Sequence, residues 1–194
     1  MDLKQTKHNI VDRPFSKESH QINLSTFTFL FSQFVQYSHE RVDNPEAFAE
    51  RLSRSGQAIG VRLYEYTCFR AEKTPKRECK VQDILLFIKK EIWKMIFGRP
   101  AEGLVKLPDD QPQHYYFLEA NQFENQFTTA LYANGLKCAP FVSGIIKGVL
   151  DSANFPAVVM AATITHNDQD SSMDKKVGYF IKFDPSVLQR DEKI

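Results

Sequence analysis

The side chains able to do chemistry are few: Cys68, Cys79 and Cys138, five histidines, and the adjacent carboxylates Asp109-Asp110. Cys138 has the most suggestive position. It stands near the start of a predicted helix, where a thiol pKa is lowered, and a thiolate there would serve a thiol enzyme with His114 or His166 as base. No sequence signature links the three, and a small buried residue is what is expected of Cys138. Asp109-Asp110 lies between Pro108 and Pro112, so two solvated turn residues are expected instead of an acid–base dyad. His8, His20 and His39 fall in or near an amino-terminal arm and the first helix, where surface placement is expected. The cysteines are odd in number and show neither CxxC nor Cys/His spacing, which fits reduced cytosolic thiols and no metal. The expectation is a chain without catalytic residues, metal or cofactor.

The elements that would carry these residues belong to an ordinary globular chain. The 194 residues hold 25 basic and 24 acidic side chains, a formal charge of +1 that lacks the electrostatic footprint of a nucleic-acid binder. Eight Gly against 16 Phe speak against a glycine-rich phosphate cradle and for a core heavy in rings. Residues 1–18 mix both charge signs, unlike a secretory signal, and the last residues are not a prenylation box. Ser19 to His39 is free of charged side chains, but two His, three Gln and Asn23 make it a soluble helix and not a membrane span.

After a flexible arm over residues 1–21, Asn23 offers a helix cap, and Phe27, Leu30, Phe31, Phe34 and Val35 form one apolar stripe. Asn44-Pro45-Glu46 starts a second helix running to about Ala71, with Phe48, Leu52, Ile59, Leu63 and Tyr66 on one side. A third helix, from about Val81 to Phe97, ends at Gly98. The period then changes: Leu104–Leu107 and His114–Glu119 read as a hairpin, and Gln126–Tyr132 as a further short extended piece. A fourth helix over residues 137–151 precedes a second hairpin, Ala157–Thr165 with Val177–Phe183. The order predicts an α+β fold, about four helices on a four-stranded antiparallel sheet, as one domain over 22–184 with a short tail over 185–194.

Two features exceed the needs of a small core. Gly56 and Gly60, and again Gly144 and Gly148, stand four apart within helices, which predicts close approach by another element. Rings on adjacent helical faces leave excess apolar surface, to be met by association or by an internal slot. Lys73, Lys76, Arg77 and Lys80 make a basic turn that could touch an anionic surface, each contributing about 1 kcal/mol at best, or simply face water.

Several ordered segments carry a resemblance. Gly56-Gln-Ala-Ile-Gly-Val-Arg-Leu63, Trp93-Lys-Met-Ile-Phe-Gly98, Leu136 through Leu150 and Asn154-Phe-Pro-Ala157 resemble the core-subunit family of TRAPP, the transport protein particle. Leu30 through Tyr37 and Cys138-Ala-Pro-Phe141 are most similar to its subunit-5 branch. The resemblance implies helices on a twisted four-stranded antiparallel sheet and no catalytic residue. It implies a cytoplasmic scaffold, peripheral at endoplasmic reticulum and cis-Golgi membranes only through its complex. Implied partners are the acylated core subunit and a longin-type small subunit, and the assembly would tether vesicles and exchange nucleotide on a Rab GTPase. On that basis Phe27, Phe31, Phe34, Ile59 and Leu63 are the expected partner-face anchors. Cys79 lies near the acylation position of another branch, about one residue off register, so an acyl group there is a minor alternative. A small apolar ligand or haem in a slot of the same fold is the main alternative function.

Overall fold

A computed structural model describes residues 23–70, 78–106, 114–119, 138–164 and 176–193. Its helices start where the sequence supplies acceptors for otherwise unpaired N–H groups. Helix α1 (Leu24–His39) begins with the Asn23 side chain accepting from the Ser25 N–H at 2.9 Å. In α2 (Pro45–Arg70), Asn44 Oδ1 accepts from the Ala47 N–H at 2.6 Å, and Pro45 has no N–H to satisfy. Helix α3 consists of α-helical Val81–Phe87, a π-helical turn Ile88–Ile92 and α-helical Trp93–Phe97. Gly98, at φ 73°, ends it. Within the π turn the Lys89 carbonyl accepts the Ala101 N–H at 3.1 Å, which ties down the returning chain.

Four antiparallel strands follow: β1 (Gly103–Lys106), β2 (His114–Glu119), β3 (Ala157–Ile164) and β4 (Lys176–Phe183), in the order β1-β2-β4-β3. The two expected hairpins are thus present and join through β2 and β4. Helix α4 (Ala139–Ser152) lies between them in the chain. The expected extended piece over Gln126–Tyr132 falls outside the described residues. Residues 185–194, expected as a tail, instead contribute a fifth described helix, α5 (Pro185–Asp191). Its start repeats the logic of α2: Asp184 Oδ1 accepts from the Ser186 N–H at 2.9 Å, ahead of Pro185 in the first turn. Val187 of α5 is buried, and Asp191 accepts the Val81 N–H at 2.9 Å, capping α3 where Lys80 cannot.

The main core lies between the sheet and α3 with α4. Phe117, Tyr179, Ile181 and Phe183 point inward from β2 and β4, and Trp93 packs 5.5 Å from the Phe117 ring and 5.7 Å from Tyr179. A second cluster joins Phe31 and Val35 of α1 to Phe48 and Leu52 of α2 and to Cys138.

Helix α4 is sandwiched between α2 and β3, and its contact with α2 is backbone on backbone. A Cβ on Gly56 would overlap the Phe141 carbonyl, and one on Gly60 the Ile145 carbonyl. In return, Gly144 faces the Ser53 carbonyl and Gly148 the Gln57 carbonyl. All four neighbours are main-chain atoms that cannot swing aside. Outside the crossing, Gln57 Nε2 donates to Asp151 Oδ2 at 2.8 Å. Helix propensity alone predicts that Gly144→Ala stabilises by about 1 kcal/mol. The crossing predicts the opposite sign, a loss of about 2 kcal/mol or more with a clear drop in melting temperature. Thermal unfolding decides, and a melting temperature at or above the parent's would refute the tight crossing.

Candidate partner interface

The glycine crossing sets which side of α2 faces inward. Past Phe48 and Leu52 the buried line runs through Gly56, Gly60 and Thr67. Thr67 stays buried by donating its hydroxyl to the Leu63 carbonyl at 2.7 Å, with Met95 Sδ 3.4 Å away. Ile59 and Tyr66, expected on the same stripe as Phe48 and Leu52, are exposed, and Leu63 is half-buried. Val61 and Phe69 are exposed too.

Helix α1 requires a larger correction. Phe31, an expected partner anchor, is 5% exposed and belongs to the chain's own second cluster. Phe27 stacks on it at 6.0 Å, and the rings of Phe31 and Phe34 reach Phe141 of α4 at 5.3 and 5.9 Å. These phenylalanines hold α1 onto the domain. The outward residues are Phe29 and Leu30, 73% and 69% exposed, although Leu30 was expected on one stripe with Phe31 and Val35. The buried positions of α1 are Phe31, Val35 and Ser38, and a serine at the third conceals the true phase. Ser38 Oγ is buried with no hydrogen-bond partner among the described residues.

Sequence reasoning also missed an arginine pair on an exposed ring. Arg41 sits 3.7 Å and Arg51 5.5 Å from the centroid of Tyr37, a cation–π arrangement at the junction of α1 and α2. An open groove of about 330 Å³ adjoins it, lined by Phe34, Val42, Glu50, Arg51 and Arg54 among others. The gap between α1, α3 and α4, lined by Phe27, Phe31, Phe97 and Phe141, is only about 30 Å³. That is far below the roughly 300 Å³ at which small-molecule pockets begin.

Among the described residues the candidate chemical groups are not brought together. Cys138 is 1% exposed inside the second cluster, out of reach of a substrate. His114 lies in β2 opposite Lys182, while His166, Asp109 and Asp110 fall outside the described residues. His39 packs edge-on against Phe48 at 5.8 Å. Burial, ahead of the charge on Glu78 and against a hydrogen bond from Tyr64, pushes the Cys68 thiol above its ordinary range, away from thiolate chemistry. Cys79 and Lys80 are exposed ahead of α3, and Lys73, Lys76 and Arg77 lie outside the described residues. Among the described residues no group of His, Cys, Asp or Glu could hold a metal, and no helix is long and apolar enough to cross a membrane.

Comparison with known proteins gives this arrangement its context. Residues 27–184, from Phe27 of α1 to the Asp184 cap of α5, match the family described as Transport protein particle (TRAPP) component. The chain belongs to the TRAPP component family. It is 41% identical over 184 residues to trafficking protein particle complex subunit 5 of Dictyostelium discoideum, covering 94% of this chain and 96% of that protein. Against the human subunit 5 it is 32% identical, covering 97% of this chain and 94% of that protein. A more distant relative is subunit 31 of the Saccharomyces cerevisiae complex, at 24% identity over 88% of this chain and 79% of that protein. In structure it is similar to subunit 3 of Naegleria fowleri, solved covalently bound to palmitic acid, with a TM-score of 0.64 over 82% of this chain and 93% of that one. At 16% identity that likeness concerns the fold of a TRAPP component alone.

The inward and outward phenylalanines of this TRAPP component differ in a measurable way. Phe31→Asp puts a charge into the second cluster and is expected to destabilise by at least about 4 kcal/mol. Phe29→Asp, one turn-face away, is expected to stay within about 0.5 kcal/mol of the parent. Denaturant titration of both variants tests the phase of α1, and equal losses would show it to be misassigned.

Proposed function

We propose that this chain is a non-catalytic scaffold subunit of a TRAPP-type vesicle-tethering complex. The observation that carries the reading is outward apolar surface on two helices whose inner faces are already satisfied: Phe29 and Leu30 on α1, Ile59 and Val61 on α2. An assembled subunit buries such side chains against a neighbour. The full-length similarity to proteins named as trafficking-complex subunits supports this reading.

In this proposal the helical face engages the acylated core subunit, and a second neighbour is a longin-type small subunit. The chain holds both in the arrangement with which the assembly exchanges nucleotide on a Rab GTPase, at endoplasmic reticulum and cis-Golgi membranes. The anchors are Phe29, Leu30 and Ile59, with Leu63 at their edge. Phe27, Phe31 and Phe34 act indirectly by fixing α1. An apolar-ligand or haem slot is not favoured, because the relatives that match nearly the whole chain are named as trafficking-complex subunits. Cys79, exposed beside Lys80, contributes no acyl group in this reading.

The triple variant Phe29→Asp, Leu30→Asp, Ile59→Asp is expected to melt within a few degrees of the parent. Its recovery of the core subunit from co-expression should fall at least about tenfold, the equivalent of 1.4 kcal/mol. A folded triple variant that retains the core subunit at the parent's level would remove this face assignment. A parent chain that assembles with no TRAPP subunit at all would remove the scaffold reading itself.

A further inference from the structure

The two edges of the sheet are built differently. Strand β1 is four residues long and ends on the exposed Lys106, two devices that discourage further pairing. Strand β3 has neither. Its eight residues, Ala157-Val-Val-Met-Ala-Ala-Thr-Ile164, hold no charge, no proline and no glycine, and they pair with β4 at consecutive positions without a bulge. Among the described residues no strand or backbone hydrogen bond reaches its other side. Alternate residues of an edge strand aim both N–H and C=O outward, and those groups need partners wherever water is excluded.

The face of the sheet turned away from α3 and α4 leads to this edge. Val105, Tyr116, Phe180 and Met160 lie opposite one another across all four strands. The Tyr116 and Phe180 rings stack at 5.4 Å. The row stops at Met160, which is 59% exposed beside Val158 at 57%. An antiparallel sheet with one solvated face normally carries polar residues there. Here the outward positions of β3, Val158, Met160 and Ala162, are all apolar.

We propose that β3 receives an added β-strand from a neighbouring subunit of the complex, an extended segment that is uncharged opposite β3 and carries an apolar side chain continuing the row beyond Met160. Only the backbone of an extended chain satisfies the outward N–H and C=O groups in register, and only an apolar outward residue extends the row. The inference rests on the scaffold reading and supplies what a scaffold needs, a second surface. Helix α4 packs against both α2 and β3, so it separates this edge from the outward side of α2.

Hydrogen–deuterium exchange on the full chain, alone at low concentration and within the co-expressed complex, tests the proposal. The peptide spanning residues 157–164 is expected to exchange at least about tenfold more slowly in the complex at its outward amides. Two variants accompany it, Ala161→Pro and Ala162→Pro. Successive N–H groups on a strand point to opposite sides, so one variant breaks the ladder to β4 and the other removes only an outward donor. The variant that keeps the parent's fold should lose one neighbour while retaining the partner of the α1–α2 face. Exchange unchanged by assembly overturns the proposal, as does a folded proline variant that keeps every neighbour. Slow exchange already present in the isolated monomer assigns the edge to the chain itself, and slowing that tracks dimer formation assigns it to a second copy; either overturns it. A chain that assembles through α1 and α2 but leaves β3 unprotected removes this inference alone, whereas failure to assemble removes both it and the scaffold reading.

Discussion

The main-chain contact between α2 and α4 is the constraint on which the remaining structure depends. With Gly56 and Gly60 on one helix and Gly144 and Gly148 on the other, the two backbones approach as no side-chain-bearing pair could. Close approach fixes rotation as well as distance. It turns the far side of α4 toward the sheet, where Val142, Ile146, Val149 and Leu150 enter the main core. It turns Ile59 and Tyr66 of α2 away from the domain. One contact therefore makes α4 a helix buried nearly all round and leaves α2 with an outward apolar side.

Smaller interactions complete the arrangement. Phe141, at the start of α4, receives the rings of Phe31 and Phe34 and so positions α1 against the same helix. The Asp191 carboxylate caps α3 from the far end of the chain, and the buried Tyr115 feels both its own desolvation and that charge, each raising its phenol pKa. Trp93, between Phe117 and Tyr179, locks α3 onto the sheet. Among the described residues the large apolar side chains left exposed stand on the outward faces of α1, α2 and the sheet, with Leu86 on α3.

Much of this was legible in the residues, and the failures share one cause. Caps announced themselves: Asn23 and Asn44-Pro45 marked α1 and α2, Gly98 ended α3, and both hairpins followed from alternation and turn residues. The same kind of cap signal, Asp184-Pro185-Ser186, stands at the start of α5. Glycine spacing pointed to close packing, but it could not say which helix met which. Helical phase was the weak point. Apolar residues lie on both sides of α1 and α2, so periodicity alone could not separate Phe31 from Leu30 or Leu52 from Ile59. Small and polar residues, Ser38, Thr67 and the glycines, occupy buried positions that a search for large apolar side chains passes over. The π turn in α3 had no sequence signal that periodicity could detect.

Single-cysteine labelling tests directly whether the glycine crossing turns Leu52 inward and leaves Ile59 on the proposed partner face. In a chain whose Cys68 and Cys79 are replaced, a cysteine is introduced at Ile59 or at Leu52, and thiol labelling is followed alone and in the assembled complex. The account predicts fast labelling of Ile59→Cys in the isolated chain, protection of it on assembly, and slow labelling of Leu52→Cys throughout. Equal labelling of the two positions in the folded chain, or an Ile59→Cys thiol as reactive in the complex as alone, would contradict it.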